Sequence, residues 1–302
     1  MYLSKQYHPV PVNSGFRMDG YYVWCGSMIK GNDGLYYLFA ARWPEEATFP
    51  AGYMTHSEIV LATSPSPEEP FTFRKVVISG RGGDYWDAGM AHNPYVIPVD
   101  DHYVMFYIGT QNGSYEKRAI GYAYSKSLTD GWVRSDKPLD LPPNANNPAI
   151  LVKDDGVYLY FRDGNLRVSV ARAETYRGPY TVLNDNLCPK GAVEDMFVYR
   201  EGDRYVMLAE DAVGAYTGLK KGGVRFLSDD AVHFEADEPA QAYGFDILYE
   251  DGSKQTLQRR ERPFLLFEGE DTYLFTTAKA NGETALTGGD TWNMVQKLKR
   301  EN

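Results

Sequence analysis

Apolar and polar positions along this chain fall into strand-length pieces, and one unit of the pattern recurs five times. An apolar strand leads into a tight acidic or glycine turn, and a strand rich in Tyr, Leu and Phe follows. The copies read CGSMIKGNDGLYYLFAAR (Cys25 to Arg42), HNPYVIPVDDHYVMFYIGT (His92 to Thr110) and NNPAILVKDDGVYLYFRDG (Asn146 to Gly164), then VEDMFVYREGDRYVMLAED (Val193 to Asp211) and ERPFLLFEGEDTYLFTTA (Glu261 to Ala278). Each predicts a β-hairpin, because NDG, VDD, DDG, EGD and GED tolerate the backbone angles of a tight turn. The flanking segments alternate or run apolar, with no long helical period.

Further strands follow most hairpins. SEIVLATS (Ser57 to Ser64), RAIGYAYS (Arg118 to Ser125), LRVSVARA (Leu166 to Ala173) and GGVRFLSD (Gly222 to Asp229) occupy the third place, and FTFRKVVI and WVRSDKPL are closing strands. Five units in 302 residues leave about 60 residues each, enough for a four-stranded blade plus loops. Blades around an axis bury their faces on one another and leave short edges. A two-sheet sandwich would use the same strands without explaining a fivefold repeat. The expectation is therefore an all-β, five-bladed β-propeller, with the final strand supplied by WNMVQKL near the C-terminus. No Ser/Gly- or Pro-rich linker marks a boundary, so residues 1–302 read as one domain.

Composition narrows the function classes. Hydrophobic residues make up 43% and charged residues 24%, which places the chain among globular proteins. Aromatic residues reach 14%, a level that fits pleated, half-buried strands and also supplies faces on which sugars stack. The net charge of −10 argues against nucleic-acid or anionic-membrane partners. No window offers the roughly 20 apolar residues of a membrane span, and MYLSKQYHPVPVNSGF has no apolar leader core. Two cysteines, Cys25 and Cys188, make no disulfide framework, and no zinc-type spacing occurs. A reducing, cytoplasmic setting is expected. Phosphate loops and dinucleotide fingerprints are missing too.

In a propeller the first strand of each blade lines the channel, so residues at those strand starts converge. The starts offer Arg17, Asp19 and Trp24; Trp86, Asp87, His92 and Asn93; Asn146 and Asn147; Glu194 and Asp195; and Arg260, Glu261 and Arg262. Carboxylates meeting in one funnel are what glycoside hydrolysis needs: one protonated acid for the leaving oxygen, one carboxylate for water or the anomeric carbon. Crowding in a low-dielectric site pushes their pKa values apart and so assigns the roles. Asp19, Asp87 and Glu194 are the catalytic candidates. Trp24, Trp43 and Trp86 are candidates for stacking on sugar, and Arg42, Arg162 and Arg262 for gripping hydroxyls or a uronate carboxylate. Core packing and structural ion pairs account for such residues equally well. Asn93, Asn147, Asp195 and Glu261 complete the substrate-binding set, with His92.

RMDGYYVWCGSMIKGNDGLYYLFAARW, WDAGMAHNPYVI, VEDMFVYREGDRYVMLAED and RRERPFLLFEGEDTYLF carry a resemblance over nearly the whole chain. The chain resembles the five-bladed superfamily that holds glycoside hydrolase families 43, 62, 32, 68, 117 and 130. Its first two pieces look closest to family-43-like and family-117-like bacterial proteins. The resemblance implies that Glu194 is the general acid. It places the general base near Cys25 or Gly26, where there is no carboxylate; Asp19 is the nearest substitute and Asp87 the other. It gives a histidine two precedents, an acid role and help in holding a central calcium ion. His92 therefore reads either in such a role or as a residue satisfying backbone groups at a strand start. No oxygen ligands are spaced to assert a metal, so no cofactor is assigned, although a structural calcium ion in the channel stays open.

The resulting expectation is an exo-acting, inverting glycosidase that takes an oligosaccharide of plant or algal type, the exo mode and substrate class being implied by the resemblance. Two alternatives remain: a glycoside phosphorylase, favoured by the basic run Arg259, Arg260, Glu261, Arg262, and a non-catalytic carbohydrate-binding propeller, favoured by the missing base. The oligomeric state is not readable.

Overall fold

A computed structural model describes residues 7–299. Met1–Gln6, part of the segment read above as lacking a leader, lie outside them. Four antiparallel four-stranded sheets and one three-stranded sheet form five blades. Blade one holds β1 (Tyr21–Lys30), β2 (Tyr36–Pro44), β3 (Glu58–Ser64) and β4 (Thr72–Ile78). Blade two holds β5 (Met90–Val99), β6 (His102–Thr110), β7 (Ala119–Ser125) and β8 (Val133–Arg134). Blade three holds β9 (Asn146–Lys153), β10 (Gly156–Arg162), β11 (Val168–Ala173) and β12 (Thr181–Asn184). Blade four holds β13 (Val193–Glu201), β14 (Arg204–Asp211), β15 (Gly222–Ser228) and β16 (Glu235–Gln241). A small hairpin, β17 (Asp246–Leu248) and β18 (Lys254–Thr256), precedes blade five, which holds β19 (Arg259–Glu268), β20 (Asp271–Ala280) and β21 (Asp290–Lys297).

The acidic and glycine turns do what their chemistry requires. In blades two to five the first two strands are joined by two residues each: Asp100–Asp101, Asp154–Asp155, Gly202–Asp203 and Gly269–Glu270. Two-residue links hold both strands in register and match the sheet's twist. WNMVQKL forms most of β21, the third and last strand of blade five. The outer edge of β21 is covered from the start of the chain. Phe16 and Asn293 exchange backbone hydrogen bonds of 3.0 Å, and the His8 amide donates to the Lys297 carbonyl at 2.9 Å. Phe16 is fully buried in the main apolar core, so this closure is anchored by hydrophobic burial as well as by backbone pairing. No helix among the described residues is long and apolar enough to cross a membrane.

The innermost strands touch in cyclic order β1, β5, β9, β13, β19 and back to β1. Each carries the same irregularity near its start. The ladder register slips after Trp24, His92, Asn146, Glu194 and Glu261. The next residue in each strand takes a left-handed backbone: Cys25, Asn93, Asn147, Asp195 and Arg262 have φ of 52°, 54°, 56°, 61° and 58°. A bulge of this kind re-aims side chains locally. The fivefold sequence repeat thus produces a fivefold set of bulges around the axis, and these build the site.

Candidate active site

The five left-handed residues meet across the axis in a relay of contacts from blade to blade. The Cys25 thiol donates to Asn93 Oδ1 (2.6 Å), Asn93 Nδ2 donates to Asn147 Oδ1 (2.9 Å), and Asn147 Nδ2 donates to Asp195 Oδ1 (2.8 Å). From blade five the Arg262 guanidinium ion-pairs with Asp195 Oδ1 at 3.1 Å and donates through Nη2 to Asn147 Oδ1 at 3.1 Å. All the side chains of this plug are buried or nearly so.

On one side of the plug lies a cavity of about 380 Å³. The residue before each left-handed position lines it: Trp24, His92, Asn146, Glu194 and Glu261. Every blade therefore contributes one wall. On the other side a space of only about 30 Å³ is lined by Gly26, Pro94, Pro148, Met196 and Pro263, the residues that follow. The plug separates the two and closes the larger cavity at its base.

Aromatic groups form the wall from blade one. Trp43 stacks on Phe49 (6.0 Å, 17°), Trp24 meets Phe49 edge-on (5.3 Å), and Tyr53 stacks on His92 (4.5 Å, 26°). His92 is buried, and its Nδ1 lies 2.7 Å from Ser57 Oγ. Burial, then the guanidinium charges of Arg262 and Arg118, push the imidazole well below its usual range, so it is neutral. Cys25 Sγ lies 3.6 Å from His92 Nε2, but burial pushes the thiol up to about 12, so neither partner of the pair carries charge.

The acidic side of the cavity comes from blades four and five. Glu194 pairs with Arg162 and is the more open carboxyl, its side chain 25% exposed. Glu261 is buried and pairs with Arg259, with the Lys221 ammonium 3.6 Å away. Burial alone would raise its pKa, but those two cations hold Glu261 below the usual glutamate range, so it is ionised. Behind it Glu210 is buried, with Lys221 at 2.7 Å on one oxygen. Burial and then the charges of Glu261 and Asp195 push the Glu210 carboxyl well above the usual glutamate range. Its Oε2 is buried without a hydrogen-bond partner, and one oxygen of each of Glu210 and Glu261 lie within 4.8 Å of one another. Burial, then the charges of Glu194 and Glu261 against the pull of Arg262, push Asp195 up to about 6. Glu194, Asp195 and Glu261 thus line one end of the cavity, with Glu210 behind them.

A metal ion does not fit this donor set. One oxygen each from Asp195, Glu210 and Glu261 lie within 4.8 Å of one another, but Lys221, Arg259 and Arg262 already pair with them. Calcium takes six to eight oxygens, and at the axis it would meet the Arg262 guanidinium.

No family model and no curated protein matches the chain in sequence. Solved structures do match in shape. A protein described as a glycoside hydrolase superposes with a TM-score of 0.72 at 16% identity, over 99% of this chain and 93% of its own. A family 117 glycoside hydrolase from the marine bacterium Zobellia galactanivorans gives 0.69 at 15% identity, over 97% and 90%. A thermostable family-43 glycoside hydrolase gives 0.68 at 14% identity, over 97% and 93%. This chain has their five-bladed fold.

Of the residues singled out in the sequence, Trp24, Trp43, His92, Asn146, Asn147, Arg162, Glu194, Asp195, Glu261 and Arg262 line the cavity, and Asn93 sits in the plug. Arg17, Asp19, Arg42, Trp86, Asp87 and Arg260 stand elsewhere. Asp19 is exposed in the turn before β1 and does not line the cavity. Asp87 is fully buried outside it, held by Arg81 (2.8 Å), Arg134 (3.4 Å) and the Tyr107 hydroxyl (2.7 Å). The expectation that one of these two is the base does not fit. Trp86 lies over β6 and β7, where a Cβ on Gly109 or Gly121 would come within 2.7 or 2.2 Å of its ring, so those glycines make room for a packing residue. Arg42 is buried, and its Nη2 lies 2.7 Å from Glu58 Oε1.

Phe49, Tyr53, Tyr115, Arg118 and Leu166 reach the cavity without periodic signal, from loops and two short helical turns, α1 (Tyr53–His56) and a 3-10 turn (Tyr115–Lys117). Glu210 does carry a signal in the sequence, as the antiparallel partner of Glu194.

Proposed function

We propose that this protein hydrolyses the terminal glycosidic bond of an oligosaccharide seated in the axial cavity. The observation that carries the reading is the pair of unlike carboxyls on neighbouring blades of one aromatic-walled cavity: the open Glu194 and the cation-held, ionised Glu261. Glu194 is the general acid that protonates the leaving oxygen. Glu261 takes the place of Asp19 and Asp87 as the carboxylate that activates water, with Glu210 behind it as a proton reservoir. Water attack from the opposite face would invert the anomeric centre. Walls from all five blades and a plugged base favour a chain end over a chain interior, hence exo action. Neighbouring structures of this fold bind xylotriose, which supports an oligosaccharide as the ligand, and plant and algal glycans are the first class to try.

The test is sugar release from a panel of plant and algal oligosaccharides by wild type, Glu194→Gln and Glu261→Gln. Each variant is expected to lose turnover by about a hundredfold or more. Wild-type turnover that appears only with added phosphate moves the protein to the phosphorylases. Binding without release under either condition makes it a carbohydrate-binding propeller, and equal turnover by all three proteins removes both assigned residues from the chemistry.

A further inference from the structure

Four guanidinium groups line the cavity: Arg118, Arg162, Arg259 and Arg262. Three of them have a carboxylate. Arg162 pairs with Glu194, Arg259 with Glu261, and Arg262 with Asp195. Arg118 has none among the described residues. Its Nε donates to the Tyr115 carbonyl (3.1 Å) and to Asn144 Oδ1 (3.0 Å), and its Nη1 donates to the Tyr53 hydroxyl (3.2 Å). All three acceptors are neutral, and its Nη2 has no partner among the described residues. In a chain of net charge −10 the lack of a counter-ion at this one wall position is a feature of the site rather than of the composition.

The group is also held in place. The Tyr115 ring lies 5.1 Å from its guanidinium carbon, and Tyr53, which accepts from it, is itself stacked on the buried His92. A guanidinium fixed on one edge by neutral acceptors keeps its other edge for a ligand, and a planar fork matches a carboxylate. Tyr115 and Leu166, 47% and 49% exposed, stand beside it on the cavity lining and offer apolar surface to a sugar ring.

We propose that Arg118 receives the carboxylate of an acidic sugar, so that the cavity selects a uronic acid residue over its neutral counterpart. This rests on the carbohydrate reading of the site but not on its acid and base assignments. The neutral His92 adds no competing charge, and each of the other three guanidiniums already has a carboxylate as counter-ion, which leaves Arg118 as the site of discrimination.

The experiment is calorimetric titration of the catalytically silenced Glu194→Gln protein with D-galacturonate, D-glucuronate, D-galactose, D-glucose and inorganic phosphate, repeated with Arg118→Gln and Arg118→Lys added. At least one uronate is expected to bind about tenfold or more tightly than its neutral counterpart. That preference disappears with Arg118→Gln and is partly kept with Arg118→Lys, at unchanged thermal midpoint. No binding of either uronate, equal binding of acid and neutral sugars, or a preference that survives Arg118→Gln overturns the proposal. So does Arg118-dependent binding of phosphate alone. Uronate binding combined with no cleavage of aryl uronosides by wild type would sink the hydrolase reading and leave this one standing; cleavage of neutral aryl glycosides without uronate binding would do the reverse.

Discussion

Asp87 and Glu261 are both buried carboxylates beside the start of an inner strand, and both face two cations. Their surroundings differ in one respect that decides what each can do. Around Asp87 every neighbour is a donor: Arg81, Arg134 and the Tyr107 hydroxyl, with Trp86 packed alongside and no cavity. Around Glu261 the neighbours include another acid, Glu210, and the side chain lines open space. A carboxylate saturated by donors is a strut, since no proton has reason to move there. Carboxyls crowded against one another at a cavity compete for protons, and that competition is what acid and base chemistry uses.

The sharpest way to break the comparison is Asp87→Asn. It leaves Arg81 and Arg134 without their shared counter-charge inside the fold, and the loss of one partner from a buried ion pair costs about 3–5 kcal/mol. Urea unfolding is expected to show a loss of that size, with turnover per folded molecule preserved. Turnover lost at full stability would return Asp87 to the catalytic candidates.

Glu261→Gln should show the opposite balance. Turnover falls by about a hundredfold or more, equivalent to at least about 2.7 kcal/mol of barrier, while the folded state loses less than Asp87→Asn does. Glu210, relieved of its neighbour's charge, can ionise and take over the neutralisation of Lys221. Infrared difference spectra of the carboxyl region would show it: the protonated-carboxyl band of wild type near neutral pH disappears in the variant. A band that persists means Glu210 does not answer to Glu261.

A third, smaller effect follows from Asp195. Its folded pKa of about 6 stands above the ordinary value of 3.8. Between those values the folded state binds more protons than the unfolded one, so this residue's contribution to stability falls as pH rises from about 4 to about 6 and is level above that. Asp195→Asn removes the slope, although it leaves Arg262 short of a counter-ion at every pH. The variant's stability deficit should therefore shrink by on the order of 1–3 kcal/mol across that window. A deficit that stays constant, or grows, from pH 4 to pH 6 would show that Asp195 is not raised.

How much of this was legible in the sequence follows from the same geometry. The hairpins were, because the acidic and glycine turns fix two strands with two residues. The convergence of Trp24, His92, Glu194 and Glu261 was as well, because in every blade the first strand is the inner one. Asp19, Arg42, Trp86 and Asp87 were misplaced because nearness to a strand start in sequence was equated with nearness to the axis. Asp87 lies three residues before β5, but it is the bulge, further along the strand, that turns a residue of each inner strand into the cavity, and Asp87 points into the body of its blade. Arg118, Tyr115 and Phe49 were invisible because loops that fold inward carry no period. Glu210 needed only the hairpin's register, read across from Glu194.

The bulge supplies the smallest and most local test. Three of its five left-handed positions hold Asn or Asp, the residues other than glycine that tolerate that backbone best. Cys25 and Arg262 do not belong to that group. Arg262 has an ion pair with Asp195 to offset the cost, whereas Cys25 has only neutral thiol contacts, donating to Asn93 and lying 3.6 Å from His92 Nε2. Cys25→Asn would put the residue of blades two and three into blade one, with an amide donor for Asn93 Oδ1 and the small space beside the plug to accept the two added atoms. It is expected to raise stability by about 1 kcal/mol, the lower end of the range for relieving a left-handed residue, with turnover unchanged because Cys25 does not line the catalytic cavity. A gain in the urea midpoint without a change in turnover would make the plug a structural device built on one repeated backbone conformation. A loss of turnover would mean that the plug also positions His92, whose Nε2 lies 3.6 Å from the thiol that the substitution removes.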